Sequence, residues 1–139
     1  MVCADCGIRN RIPEAASGVP RCASCHHELP WLVEATDSTF DAVIESRPPV
    51  LVDLWAPWCG PCRMVAPAVQ EASKEFAGRL KVVKVNVDQS PKIAARLAVQ
   101  GIPTLLILRD GEVVARQVGA LPENRLLSWI RDSLDPAAA

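Results

Sequence analysis

The sequence predicts an α/β fold, a mixed central sheet flanked by helices, with a small metal-binding module ahead of it. Three observations lead there. From Trp31 to Val99, apolar runs of strand length alternate with stretches of helical spacing, which argues for parallel strands joined through helices. Asp110-Gly111, set between two strand-like runs, marks a hairpin and so adds antiparallel strands. Cys3-x-x-Cys6 and Cys22-x-x-Cys25 stand in a first segment, Met1 to about Pro30, that has few large apolar side chains.

The elements follow in order. Trp31 to Ala35 opens the second segment as a short strand. Asp37 or Ser38 caps a helix running to about Ser46, with Asp41 three residues after Ser38 in capping-box position, and Pro48-Pro49 ends it. Pro49 to Ala56 is an apolar run that reads as a buried strand. Arg63 to Phe76 has helical spacing at Met64, Val65, Ala68, Val69, Ala72 and Phe76, with Pro67 as a kink and Gly78 as the stop. Lys81 to Val87 is another strand, and Ser90-Pro91 starts a helix ending near Val99. Thr104 to Leu108 and Glu112 to Val118 form the hairpin. Pro122 opens a last helix with Leu126, Leu127, Trp129, Ile130 and Leu134 on its apolar side. Asp135-Pro136 breaks that helix, and the alanine tail frays. Trp31 and Trp129 read as core residues. The order is β-α-β-α-β-α-β-β-α.

The first segment is too short to fold on apolar burial alone. Its two cysteine pairs have fifteen residues between them, the spacing of a zinc ribbon. Each pair can aim two thiolates at one ion, so Cys3, Cys6, Cys22 and Cys25 would give the closed tetrahedral site of structural zinc. Metal binding would supply the stability the core lacks. Two exposed cysteine pairs, or two disulfides, are the other readings. His26 or His27 could replace Cys25 as a ligand, but four thiolates already complete the site.

Composition narrows the class. With 139 residues, half of them hydrophobic, the chain suits one domain of 31–139 plus an appendage of 1–30. A net charge of −1 with dispersed basic residues gives no nucleic-acid or anionic-membrane footprint. No apolar run approaches the roughly 20 residues that span a bilayer. The start, Met1 to Cys6, lacks the basic-then-apolar pattern of a signal peptide, so a cytoplasmic location is expected. Thiols there are kept reduced, and six cysteines then point to metal binding or redox catalysis.

The redox candidate is Cys59-Gly60-Pro61-Cys62, where the buried strand gives way to a helix. A helix N-terminus presents free N–H groups and partial positive charge, both of which favour a thiolate. Cys59 is therefore the nucleophile, and Cys62, a turn further in, is expected to be less exposed and to keep its proton longer. Cys59 attacks a substrate disulfide, and Cys62 resolves the mixed disulfide. Asp53 sits inside the apolar strand, where an ionised carboxylate is costly, so its pKa should be raised. The plainer reading is an Asp paired with a nearby cation.

Trp58-Cys59-Gly60-Pro61-Cys62, the upstream Asp53-x-Trp55 and the downstream Gly101-Ile102-Pro103-Thr104 together resemble thioredoxin, from about Trp31 to about Leu134. A lone C-x-x-C would also fit zinc ribbons or haem attachment. The resemblance implies the thioredoxin fold, with helices on both faces of the mixed sheet. It implies that Asp53 lies beneath Cys62 and helps move its proton, and that Lys84 accompanies this acid. It makes Ile102-Pro103 a cis segment opposite the dithiol, where sequence alone would favour a trans turn. The backbone of Ile102 could then pair with an extended substrate. Trp58, Gly60, Pro61, Gly101, Ile102, Pro103 and Gly119 become the substrate surface, with Trp55 packing beneath it.

With its cysteine-rich start, the chain is similar to the zinc-containing second type of bacterial thioredoxin, which reduces protein disulfides and is itself reduced by thioredoxin reductase. The expected protein is a cytoplasmic monomer holding one zinc ion and no organic cofactor. Its expected partners are thioredoxin reductase and disulfide-bearing proteins, not nucleic acid or membrane. The other reading is a zinc-dependent redox sensor or holdase that uses the thioredoxin domain for docking.

Overall fold

A computed structural model describes Cys3, Cys6, Gly7, Asn10 and residues 18–135. The fraying expected of the alanine tail, residues 136–139, lies outside them. The elements are β1 (Leu32–Ala35), α1 (Phe40–Val43), β2 (Val50–Trp55), α2 (Gly60–Glu75), β3 (Lys81–Asn86), α3 (Pro91–Arg96), β4 (Thr104–Arg109), β5 (Glu112–Val118) and α4 (Glu123–Leu134). The order matches the expected one. The sheet runs β1-β3-β2-β4-β5. β3 pairs in parallel with β1 and β2, while β4 runs antiparallel to β2 and β5.

β2 is central and covered on both faces, which is why its sequence runs apolar without a polar alternation. On one face Val52, Leu54, Val83, Val85, Leu106 and Leu108 pack with Phe40, Val43 and Ile93 from α1 and α3. On the other face Leu51, Val82, Leu105 and Ile107 pack with Val65 and Val69 of α2 and Leu126 and Ile130 of α4. Side chains alternate along a strand, so Asp53 shares the α2 face with Leu51. The hairpin turns on Asp110 (φ 53°) and Gly111 (φ 81°), both in the left-handed conformation a two-residue turn requires.

Several boundaries differ from expectation. α1 is a single turn over Phe40–Val43, starting later and stopping sooner than Asp37 to Ser46. The would-be caps are occupied elsewhere. Ser38 Oγ hydrogen-bonds with Thr36 Oγ1 at 3.1 Å, and Asp41 pairs outward with Arg96 at 2.7 Å. Asp37 reaches to α3, where its carboxylate accepts from the Ile93 N–H at 2.9 Å and the Lys92 N–H at 3.3 Å. A helix start thus takes its cap from a loop 55–56 residues upstream. α3 ends at Arg96, short of Val99, because Ala98 turns left-handed at φ 56°. Met64, placed on the apolar stripe of α2 by its spacing, is 78% exposed instead. Trp31 is buried as expected, but Trp129 is only half-buried at the edge of its cluster.

The cysteine-rich segment meets the domain at the C-terminal end of α2. Gly78, with φ 83°, lies against the Glu28 carboxylate, and a Cβ there would collide with it. Arg21, Cys25, His26, His27, Glu28 and Ala77 line a cleft of about 410 Å³ at this junction. Leu29 is buried, and Trp31 next to it stacks under the Lys81 ammonium at 4.5 Å. That ammonium is fully buried and donates to the Val43 carbonyl at 2.6 Å, so the charge enters the core with partners.

Candidate functional site

Cys59 is the N-cap of α2, in an extended conformation (φ −85°, ψ 110°), and its sulfur accepts from the Cys62 N–H at 3.2 Å. A cysteine sulfur fills the place an Asp or Ser oxygen usually takes. Pro61 falls in the first turn, where a missing N–H is harmless and its fixed φ suits the helix. Cys59 and Cys62 are joined as a disulfide, with Cα atoms 5.2 Å apart. The two residues are almost equally buried, 4% and 3% exposed, so the expected difference in exposure is absent. The reason is local. Both sulfurs turn into one small cluster with Ala56, Trp55, Val87 and Ile102. Cys59 Sγ lies 3.7 Å from the Ile102 carbonyl oxygen.

The Ile102–Pro103 bond is cis. Its loop is pinned on both sides: Gly119 donates its N–H to the Pro103 carbonyl at 2.8 Å, and Thr104 Oγ1 donates to the Gly101 carbonyl. Gly119 has φ 93°, which explains the glycine. A Cβ on Gly101 would only touch the Val118 side chain at 3.6 Å, so that glycine is not forced by space. Trp58 and Val118 are 68% and 55% exposed, an apolar rim of the kind that marks a protein-binding face. The Trp58 indole is held by a 2.9 Å hydrogen bond from Nε1 to Asp88 Oδ2. Asp88 escaped the sequence reading. Its one signal is position, just past the end of β3, where sites gather in parallel sheets.

Asp53 is 1% exposed, and its Oδ1 has no hydrogen-bond partner among the described residues. Burial pushes its pKa from the usual 3.8 up to about 6, and the Lys84 charge offsets only part of the rise. Lys84 faces Asp53 across the β2–β3 pair. Its ammonium sits 4.8 Å from the centre of the Trp55 ring, and Trp55 is half-buried below the disulfide. A carboxyl that titrates near neutrality can take or give a proton under ordinary conditions.

The second constellation is the cysteine cluster. The sulfurs of Cys3, Cys6, Cys22 and Cys25 all lie within 4.8 Å of one another, with Cys3–Cys25 at 3.6 Å and Cys6–Cys22 at 3.4 Å. A tetrahedral ion with bonds of about 2.3 Å would set its sulfurs about 3.8 Å apart, so the cluster fits one ion. The two halves are built alike. Cys3 accepts from the Gly7 N–H at 2.8 Å, and Cys22 accepts from the His26 N–H at 2.9 Å. Gly7 and His26 both turn left-handed, at φ 75° and 65°. Asn10 ties the halves together by accepting from the Ala23 N–H at 2.9 Å. The Cys25 N–H holds the Cys22 thiol down to about 5, ready as a thiolate ligand. His26 and His27 are exposed and stand outside the four-sulfur set.

The family profile described as Thioredoxin matches residues 31–132, which leaves the cysteine cluster outside the match. The thioredoxin of Haemophilus influenzae is 46% identical over 104 residues, 74% of this chain and 97% of that protein. Thioredoxin 1 of a Nostoc species is 52% identical over 102 residues, 73% of this chain and 95% of that protein. Thioredoxin 1 of Synechococcus elongatus is 53% identical over 96 residues, 68% of this chain and 90% of that protein. No helix of the described residues is long and apolar enough to cross a membrane.

Proposed function

The chain belongs to the thioredoxin family and is a protein-disulfide oxidoreductase of that type, and on that premise we propose how its own residues do the work. Reduction of the Cys59–Cys62 disulfide by the dithiol of a thioredoxin reductase starts the cycle. The Cys59 thiolate, favoured by the N-terminus of α2 and by the Cys62 N–H, attacks one sulfur of a substrate disulfide. That bond breaks, a mixed disulfide forms, and the substrate's other sulfur leaves as a thiolate. Cys62 then attacks Cys59 Sγ, which releases the second substrate thiolate. Two electrons have moved to the substrate, and the Cys59–Cys62 disulfide is restored. Cys62 must lose a proton before it attacks. Asp53, on the sheet face under α2 and titrating near neutrality, is the acceptor, with Lys84 beside it.

Trp58, Gly60, Pro61, Gly101, Ile102, Pro103 and Gly119 form the substrate surface in this reading. The exposure of Trp58 and the pinned 101–104 loop support it. The Ile102 backbone offers pairing to an extended segment next to the disulfide. Cys3, Cys6, Cys22 and Cys25 hold one zinc ion, which supplies structural cross-linking to residues 1–30; residues 31–139 form the redox domain. The protein works as a monomer in the cytoplasm on disulfide-bearing proteins.

The observation that carries the reading is a redox-paired Cys59–Cys62 at the start of α2, on the sheet face that holds a buried, titratable Asp53. Insulin reduction with a reductase or dithiothreitol as electron source tests it. Cys59→Ser should abolish turnover. Cys62→Ser should accumulate a mixed disulfide detectable by mass. Normal turnover by the Cys62 variant would refute the roles, and a wild-type protein inactive on insulin would favour a sensor or holdase.

A further inference from the structure

Trp58, Met64 and Val118 are three of the six large apolar side chains that stand exposed among the described residues. Trp58 precedes Cys59, and Val118 pairs with Thr104 beside the cis bond. Met64 lies on the helix that the dithiol caps, five residues past Cys59. It opens a cleft of about 620 Å³ between α2 and the segment leading into α4. Buried Ala68 and small Ala120 leave room in it, and Pro67, Leu121 and Pro122 wall it. Glu123 is the one charged residue that lines it. Ala120 follows Gly119, whose N–H is bonded to the Pro103 carbonyl, so the cleft continues directly from the loop opposite the dithiol.

The walls are ready-made. Pro67 and Pro122 have a fixed φ, so a ligand has little backbone to order there. Met64 is unbranched and carries a thioether, the kind of side chain that adapts to differently shaped partners. The occupant follows from the reaction. Each substrate becomes bonded to Cys59 Sγ, so the residues beside its cysteine must lie on the surface around Cys59. Along α2, Met64 is about 7.5 Å from Cys59. An extended substrate covers about 6.7 Å in two residues, and a residue two positions from the cysteine projects to the same side as its sulfur. That side chain, not the one next to the cysteine, comes down at the Met64 cleft.

We propose that the Met64 cleft is a specificity subsite that takes an apolar side chain, of the size of Leu, Met or Phe, two residues from the reacting cysteine of an extended protein substrate. The proposal rests on dithiol exchange at Cys59, as argued above. The Glu123 carboxylate at the cleft turns away an acidic residue at that position. Taking about half of a leucine side chain out of water is worth about fivefold in binding.

The test uses the full-length reduced protein and short peptides joined as intermolecular disulfides, with Leu, Ser or Asp two residues before or after the cysteine. Thiol release is followed by chromatography. Each rate is divided by that for cystamine, a small disulfide with no neighbouring residues, so that any effect on the dithiol itself divides out. The wild type should favour Leu over Ser by about fivefold on one side of the cysteine, through KM, with Asp no better than Ser. Met64→Ser should cut that preference below about twofold, and Met64→Leu should keep it. Equal KM for the Leu and Ser peptides, or an Asp peptide as good as the Leu peptide, overturns the proposal. So does a preference that Met64→Ser leaves intact; if the variant then shows only a raised KM with thioredoxin reductase, the cleft belongs to the reductase. A wild-type protein inert towards cystamine and every peptide would instead refute dithiol exchange at Cys59 itself.

Discussion

Asp53→Asn should make the protein more stable and less active at the same time. The Asp53 pKa is pushed from 3.8 to about 6, and Asp53 is 1% exposed, so solvent screens little of the effect. Two units correspond to about 3 kcal/mol between the ionised and neutral folded forms. The sign follows from linkage. The folded state binds this proton more tightly than the unfolded state. The associated stability is complete below the unfolded pKa of 3.8 and is lost as pH rises through about 6. Asparagine cannot ionise, so the variant keeps what the wild type loses. The amide inherits a site where Asp53 Oδ1 has no partner, which returns about 1 kcal/mol. At about pH 8 the variant should therefore be more stable by about 1–3 kcal/mol, and the gap should close towards about pH 4. Guanidinium unfolding of the oxidised protein, followed by tryptophan fluorescence across that range, measures it. Insulin reduction by the variant should be slower near neutrality. A variant less stable at about pH 8, or a gap independent of pH, would show that Asp53 and Lys84 form a structural salt bridge.

Other expectations are simpler. A mild oxidant should take Cys59 and Cys62 first, and only a stronger one should oxidise Cys3, Cys6, Cys22 and Cys25 and release zinc, read with a chromogenic chelator during a peroxide titration. Zinc release before oxidation of the Cys59–Cys62 pair would contradict this. Deleting residues 1–30 should leave a folded, active reductase by circular dichroism and insulin reduction, since the two main apolar clusters lie in 31–134. Asp37→Ala should cost about 1 kcal/mol through loss of the α3 cap, measured as a lower guanidinium midpoint with insulin reduction unchanged.

The alternation of strands and helices was legible because each β run is bounded by proline, glycine or a charged turn and each long helix has an apolar stripe. What local pattern could not show was the use of a side chain by a distant element. Asp37 looks like a cap for the helix beside it, yet it serves α3, because the loop after β1 lies next to the start of that helix in space. Met64 fits a helical stripe by spacing, but in three dimensions it stands exposed at an open cleft beside Ala120, Leu121 and Pro122. The raised pKa of Asp53 was readable from one charge in an apolar strand. Asp88 was not, since a tryptophan–carboxylate bond spanning 30 residues leaves no mark in either neighbourhood.

α2 has sixteen residues and is about 24 Å long. The dithiol caps one end, and Glu28 packs on Gly78 beyond the other. The molecule therefore has a working pole and a handle. His26 and His27 lie exposed on the handle, beside Ala77. A resin, electrode or fused protein attached at that turn would hold each copy with its disulfide facing outward, so every immobilised molecule would be oriented for exchange rather than a random fraction of them.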